Sequence, residues 1–161
     1  MSAATYICVP AFVRHSNFLR RQVIPGNPVD RSSSSPEAPR QRPLRVLLIE
    51  DSPLIRKHLV ALLEDGADIN VIGEVDTEAA AIAALDSTVF DAAVVDLQLR
   101  EGSGFGVLQH LRARHPELLA IVLTNSNTPA MRARSMALGA HHFLDKSSEF
   151  DRVAELLDTL R

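Results

Sequence analysis

The chain has 161 residues, enough for one ordinary domain, with 46% apolar and 23% charged residues and no apolar run of the length that spans a bilayer. Its single Cys8 excludes an internal disulfide framework, and the scarcity of aromatics (4%) leaves the core to Ala, Val, Ile and Leu. The net charge of −3 hides an asymmetry: residues 1–43 hold six Arg against Asp30 and Glu37, whereas residues 44–161 hold eleven basic and eighteen acidic residues. An acidic domain is ill suited to a phosphate backbone, so no nucleic acid is expected as partner, and without a bilayer-length apolar run no membrane is expected either.

In chain order, residues 1–43 read as a disordered tail. "PGNPVDRSSSSPEAPRQRP" is rich in Pro, Ser and Arg and poor in apolar residues. "ATYICVPAFV" is apolar, but no basic residue precedes it and Pro10 interrupts it, which argues against a signal peptide. From Leu44 a strand–helix alternation repeats five times. The strand-like runs are "LRVLLIE" (44–50), "INVIGEV" (69–75), "FDAAVVD" (90–96), "LLAIVLT" (118–124) and "AHHFLDK" (140–146), short and mostly apolar, as strands covered on both faces should be. Ser52 and Pro53 open the first helix as cap and first residue, with Ile55, Leu59, Leu62 and Leu63 on one face. The third helix, "GFGVLQHLRAR", stops before Pro116. The fourth, "TPAMRARSMAL", ends at Gly139, and the fifth places Phe150, Val153, Leu157 and Leu160 on one stripe.

Five such units predict an α/β fold, a doubly wound five-stranded parallel sheet with helices on both faces. Ligand sites in such sheets lie beyond the carboxyl ends of the strands. There the first run carries Glu50 and Asp51, the third Asp96, the fourth Thr124 and the fifth Lys146, while the second, ending near Val75 and Asp76, adds nothing. Read singly, each has an ordinary explanation: helix capping, a loop acid, a solvated lysine. Together they place three carboxylates, a hydroxyl and an ammonium at one edge. Crowded carboxylates repel unless a cation joins them, and oxygen ligands of this charge suit Mg²⁺. Lys146 then suits an anion brought to Asp96.

The set "LLIED", "VVDLQLREGSG", "IVLTNS" and "FLDKS", in this order, resembles the receiver domain of two-component response regulators, the CheY-like, flavodoxin-like fold, over residues 44–161. The resemblance implies strand order 2-1-3-4-5. It implies Asp96 as the acceptor of a phosphoryl group from a sensor histidine kinase or a histidine phosphotransfer protein. Glu50, Asp51, Asp96 and the main-chain carbonyl of Gln98 would hold Mg²⁺, with Glu50 acting through water. Thr124 and Lys146 would contact the phosphoryl oxygens, Phe143 would be the switch aromatic, and Gln98 and Ser126 would flank the water that attacks in dephosphorylation. The sequence departs from the family at Ser147, where proline is usual after the lysine, at Arg100, and at Phe143, which has no hydroxyl.

The expected function is a stand-alone cytoplasmic receiver that catalyses only its own phosphorylation and dephosphorylation and signals to a downstream protein. A relay carrier or phosphate sink is the alternative within the class. A haloacid-dehalogenase-type phosphatase would need a DxD motif, whereas Leu97-Gln98 follows Asp96. A flavin site would need a Ser/Thr/Gly phosphate loop after the first strand, and a phosphorylation-independent adaptor would not need the acidic set. The six His show no metal-ligand spacing: His110 and His115 are five apart, and His141 and His142 would face opposite sides of a strand. The arginines of the third and fourth helices, Arg112, Arg114, Arg132 and Arg134, read as solvated faces.

Overall fold

Ser52, Thr77, Ser103 and Thr128 each stand one residue before a helix and accept a backbone N–H from its first turn, at 3.0–3.4 Å. Each such cap stabilises its helix by about 1 kcal/mol. They punctuate a chain whose computed structural model describes residues 42–65 and 68–160. The disordered tail expected over residues 1–43 lies outside the described residues except for Arg42 and Pro43.

The elements alternate as expected: β1 (Leu44–Ile49), α1 (Pro53–Glu64), β2 (Ile69–Val75), α2 (Glu78–Ser87), β3 (Ala92–Val95), α3 (Gly104–Arg114), β4 (Leu119–Thr124), α4 (Pro129–Ala137), β5 (His142–Asp145) and α5 (Arg152–Asp158). The strands pair in parallel in the order β2-β1-β3-β4-β5, with Val46 opposite Ala92, Val94 opposite Ile121 and Val122 opposite Phe143.

Alternate residues of β1, β3, β4 and β5 enter opposite halves of the core. Leu47, Ile49, Val95, Val122 and Phe143 pack with Leu85 of α2 and Leu108 of α3. Val46, Leu48, Val94, Leu123 and Leu144 pack with Leu59 and Leu63 of α1 and Val153 and Leu157 of α5. Both faces of the sheet are therefore covered, which is why these strands show apolar runs in place of alternation.

Three expectations need adjustment. β3 is only four residues long, because Phe90 and Asp91 precede it and Asp96 leaves it. His141 lies outside β5, and its Nδ1 accepts the Ala120 N–H at 3.0 Å. The fifth helix ends at Asp158, so Leu160 leaves the apolar stripe and is 44% exposed.

Candidate functional site

In a parallel sheet all strands finish at one edge, and here the ladder continues one residue past three of them. Glu50 N–H donates to the Val75 carbonyl (2.9 Å), Asp96 N–H to the Ile49 carbonyl (2.9 Å) and Lys146 N–H to the Thr124 carbonyl (3.1 Å). The backbones of Glu50, Asp96 and Lys146 are thus fixed by the sheet, although none of them belongs to a strand. Gly104, at the start of α3, lies so close to Asp96 that a Cβ there would meet the Asp96 carbonyl oxygen at 2.1 Å. Gly102 takes a positive φ of 79° in the preceding turn, a conformation that favours glycine.

The side chains converge accordingly. Lys146 Nζ donates to Asp96 Oδ2 at 2.5 Å and to Glu50 Oε2 at 2.6 Å, and all three side chains are at most 6% exposed. Glu50 Oε1 accepts the Ser52 N–H (3.1 Å), and Asp96 Oδ1 accepts the Gln98 N–H (3.2 Å). Exposed Asp51 completes a trio in which oxygens of Glu50, Asp51 and Asp96 lie within 4.8 Å of one another. One ammonium cannot neutralise three carboxylates. Burial, reinforced by the neighbouring Asp96 charge and opposed by Lys146, raises the Glu50 pKa above its ordinary value. An all-oxygen set with excess negative charge and one solvent-facing member fits a hard divalent cation such as Mg²⁺.

Thr124 is fully buried, and its hydroxyl accepts the Ser126 N–H (3.3 Å) of its own loop. Phe143 is 4% exposed, with the Arg132 guanidinium 4.7 Å from its ring centroid and Arg132 Nη1 donating to its carbonyl at 3.0 Å. Arg132 and Arg134 are therefore not simply solvated, since Arg134 also stacks on Phe105 at 4.0 Å.

Two supporting residues were missed from the sequence. Arg56 Nη1 donates to the Glu50 carbonyl at 2.5 Å while its Nε faces Glu74. Its place one turn into α1, beside an acidic strand end, was the available signal. Asp145 organises the turn after β5: its carboxylate accepts from the Ser147 N–H and hydroxyl and from Asn127 Nδ2, and its carbonyl accepts the Glu149 N–H. Ser147 thus closes with hydrogen bonds a turn that proline would stiffen. Finally, His110 and His115, separate in the sequence reading, meet at Asp86.

Comparison with known proteins agrees with this geometry. Residues 46–158 match the family described as the response regulator receiver domain. The DNA-binding transcriptional activator DevR/DosR of Mycobacterium tuberculosis is 29% identical over 64% of this chain and 48% of its own length. The transcriptional regulatory protein QseB of Haemophilus influenzae is 34% identical over 73% of this chain and 52% of its own. The chain therefore spans about half the length of these relatives. Among solved structures, the signal receiver domain of NarL from Mycobacterium tuberculosis superposes with a TM-score of 0.67 at 28% identity, covering 74% of this chain and 97% of that one. With the five-stranded order, the strand-end acids and the lysine in place, the chain belongs to the response regulator receiver domain family.

Proposed function

We propose that the domain is a phosphorylation-switched receiver in which Asp96 accepts a phosphoryl group from a phosphohistidine, on a sensor histidine kinase or a histidine phosphotransfer protein. The observation that carries this reading is the single buried ammonium of Lys146 held between Asp96 and Glu50, with Asp51 open to solvent beside them. An Asp96 oxygen forms the new bond to phosphorus as the P–N bond breaks, and the electron pair leaves with the imidazole. Such transfers depend on positioning and charge neutralisation more than on an acid–base pair. Lys146, now bound to Asp96 and Glu50, would follow the phosphoryl oxygens, and the Thr124 hydroxyl, which now serves its own loop, would turn to them.

Asp51, Asp96 and the Gln98 main-chain carbonyl would hold Mg²⁺. Glu50, both of whose oxygens already accept hydrogen bonds, would act through water. When bound, the ion supplies positive charge against both the carboxylates and the incoming phosphoryl group. Gln98 and Ser126 would border the hydrolytic water. The signal would leave through Thr124, Phe143 and the face of α4, β5 and α5 to a downstream protein in the cytoplasm. No turnover beyond phosphorylation and dephosphorylation is proposed, and no nucleic-acid contact for residues 44–161, given their seven-residue excess of acids over bases.

With Mg²⁺ and acetyl phosphate, the intact mass should rise by one phosphoryl group, and Asp96→Asn should remain unlabelled. Equal labelling of that variant would refute the assignment.

A further inference from the structure

The amino edge of the sheet gathers a second cluster that phosphoryl transfer does not use. Asp86 is the penultimate residue of α2, His110 lies in α3, and His115 caps the carboxyl end of α3. The His115 N–H closes the helix on the Leu111 carbonyl at 2.7 Å, and Pro116 follows, so the ring is carried on a fixed helix end. His110 Nε2 lies 2.8 Å from Asp86 Oδ1. His115 Nε2 lies 3.7 Å from the same oxygen, too far for a hydrogen bond, and it is buried without a hydrogen-bond partner. A ring nitrogen left so is costly, and a simple ion pair with Asp86 would need only one imidazole.

The spacing has a different explanation. Ligands 2.0–2.1 Å from a tetrahedral ion lie about 3.3–3.4 Å apart, between the two distances found here. The three ligand atoms lie within 4.8 Å of one another. A cavity of about 260 Å³ opens beside Asp86, His115 and Glu117, with room for a water as fourth ligand. Asp86 is half exposed and gives an ion a route in.

We propose that Asp86, His110 and His115 form a site for a borderline divalent transition-metal ion of the Zn²⁺ class, with a fourth position open to water, at the edge of the sheet opposite Asp96. Two imidazoles and one carboxylate select Zn²⁺, Co²⁺ or Ni²⁺ over Mg²⁺, whereas the all-oxygen set at the other edge is one that Mg²⁺ can occupy. A bound ion would tie the last turns of α2 and α3 together. The inference is independent of the phosphorylation reading.

The test is titration of the full chain with Zn²⁺, and with Co²⁺ for its visible spectrum, in excess Mg²⁺ so that the acidic pocket is occupied. One equivalent should bind, raise the melting temperature and give tetrahedral Co²⁺ bands. The loss of a ligand should weaken binding about 100-fold or more for His115→Gln, since even outer-shell changes cost 10–100-fold. Asp86→Asn, at a half-exposed position, should weaken it too and decides the matter if His115→Gln does not fold. His58→Ala, at an exposed position of α1, should change nothing. Absence of saturable Zn²⁺ binding would reduce the trio to an ion pair, and wild-type affinity in Asp86→Asn would place any bound ion elsewhere. Either result overturns the proposal.

Discussion

The two edges of the sheet hold carboxylates under opposite regimes. At the carboxyl edge Glu50 and Asp96 are buried and share one lysine. At the amino edge Asp91 accepts a two-pronged Arg42 at 2.6 and 2.7 Å and the Arg45 N–H at 2.8 Å, and Arg42 remains 61% exposed. The titrations diverge accordingly. Burial raises the Glu50 pKa, whereas the Arg42 hydrogen bonds lower that of Asp91 to about 2. A carboxylate with its own partner near water is content as an anion. One that must share a buried partner is held ready for another cation.

The largest expected effect follows from removing the shared partner. Lys146→Met leaves Glu50 and Asp96 buried and uncompensated, and breaking a buried pair in this way costs about 3–5 kcal/mol. Urea unfolding at pH 7 without divalent ions should show that loss, and added Mg²⁺ should recover much of it. A variant as stable as wild type in the absence of metal would mean that the carboxyl edge is no more demanding than the amino edge.

The pH dependence should differ in sign between the edges. Glu50 has a folded pKa above its ordinary 4.5, so its contribution is complete below 4.5 and is lost as pH rises through the raised value. Asp91 has a folded pKa of about 2 against an ordinary 3.8, so its contribution is present above 3.8 and is lost as pH falls toward 2. Glu50→Gln should therefore abolish a gain in stability on mild acidification, and Asp91→Asn should flatten the loss below pH 4. The second effect is the smaller, because solvent screens the Arg42 pair. If both variants change the profile in the same direction, the contrast between the edges is broken.

The carboxyl edge was legible in the sequence because its chemistry follows from chain direction. In a parallel sheet, the residues after "VLLI", "AAVV" and "AIVL" must share an edge, and Glu50, Asp96 and Thr124 do. Ser52, followed by proline, announced α1 equally well. What stayed hidden depends on side chains reaching between elements. Ligand spacing within one segment cannot relate His110 and His115 to Asp86, 24 residues upstream of His110 on the neighbouring helix. Asp145 reads as one more polar residue until the loop from β4 brings Asn127 to it. The reach of Leu160 failed for a simpler reason: the apolar stripe continued in the sequence, but the helix ended at Asp158.

The smallest effect concerns Arg132, where the carboxyl edge holds a contact of the amino-edge kind. Arg132 is an exposed residue, yet its guanidinium stacks on the buried Phe143 ring and donates to the Phe143 carbonyl. A cation–π contact at such a site contributes about 0.5–1 kcal/mol, a factor of about two to five in the population of the inward ring. Inverting a 1:99 equilibrium takes about 5.5 kcal/mol. If Phe143 is the switch proposed above, Arg132 would bias it without setting it, and activation should be graded. Arg132→Ala should label with acetyl phosphate as well as wild type while shifting the Phe143 ring resonances toward those seen with beryllofluoride and Mg²⁺, before either is added. Unchanged ring resonances would mean that Phe143 is held by the core alone, through Val122 and its neighbours, and that any response of the proposed output face comes only through the buried network around Lys146.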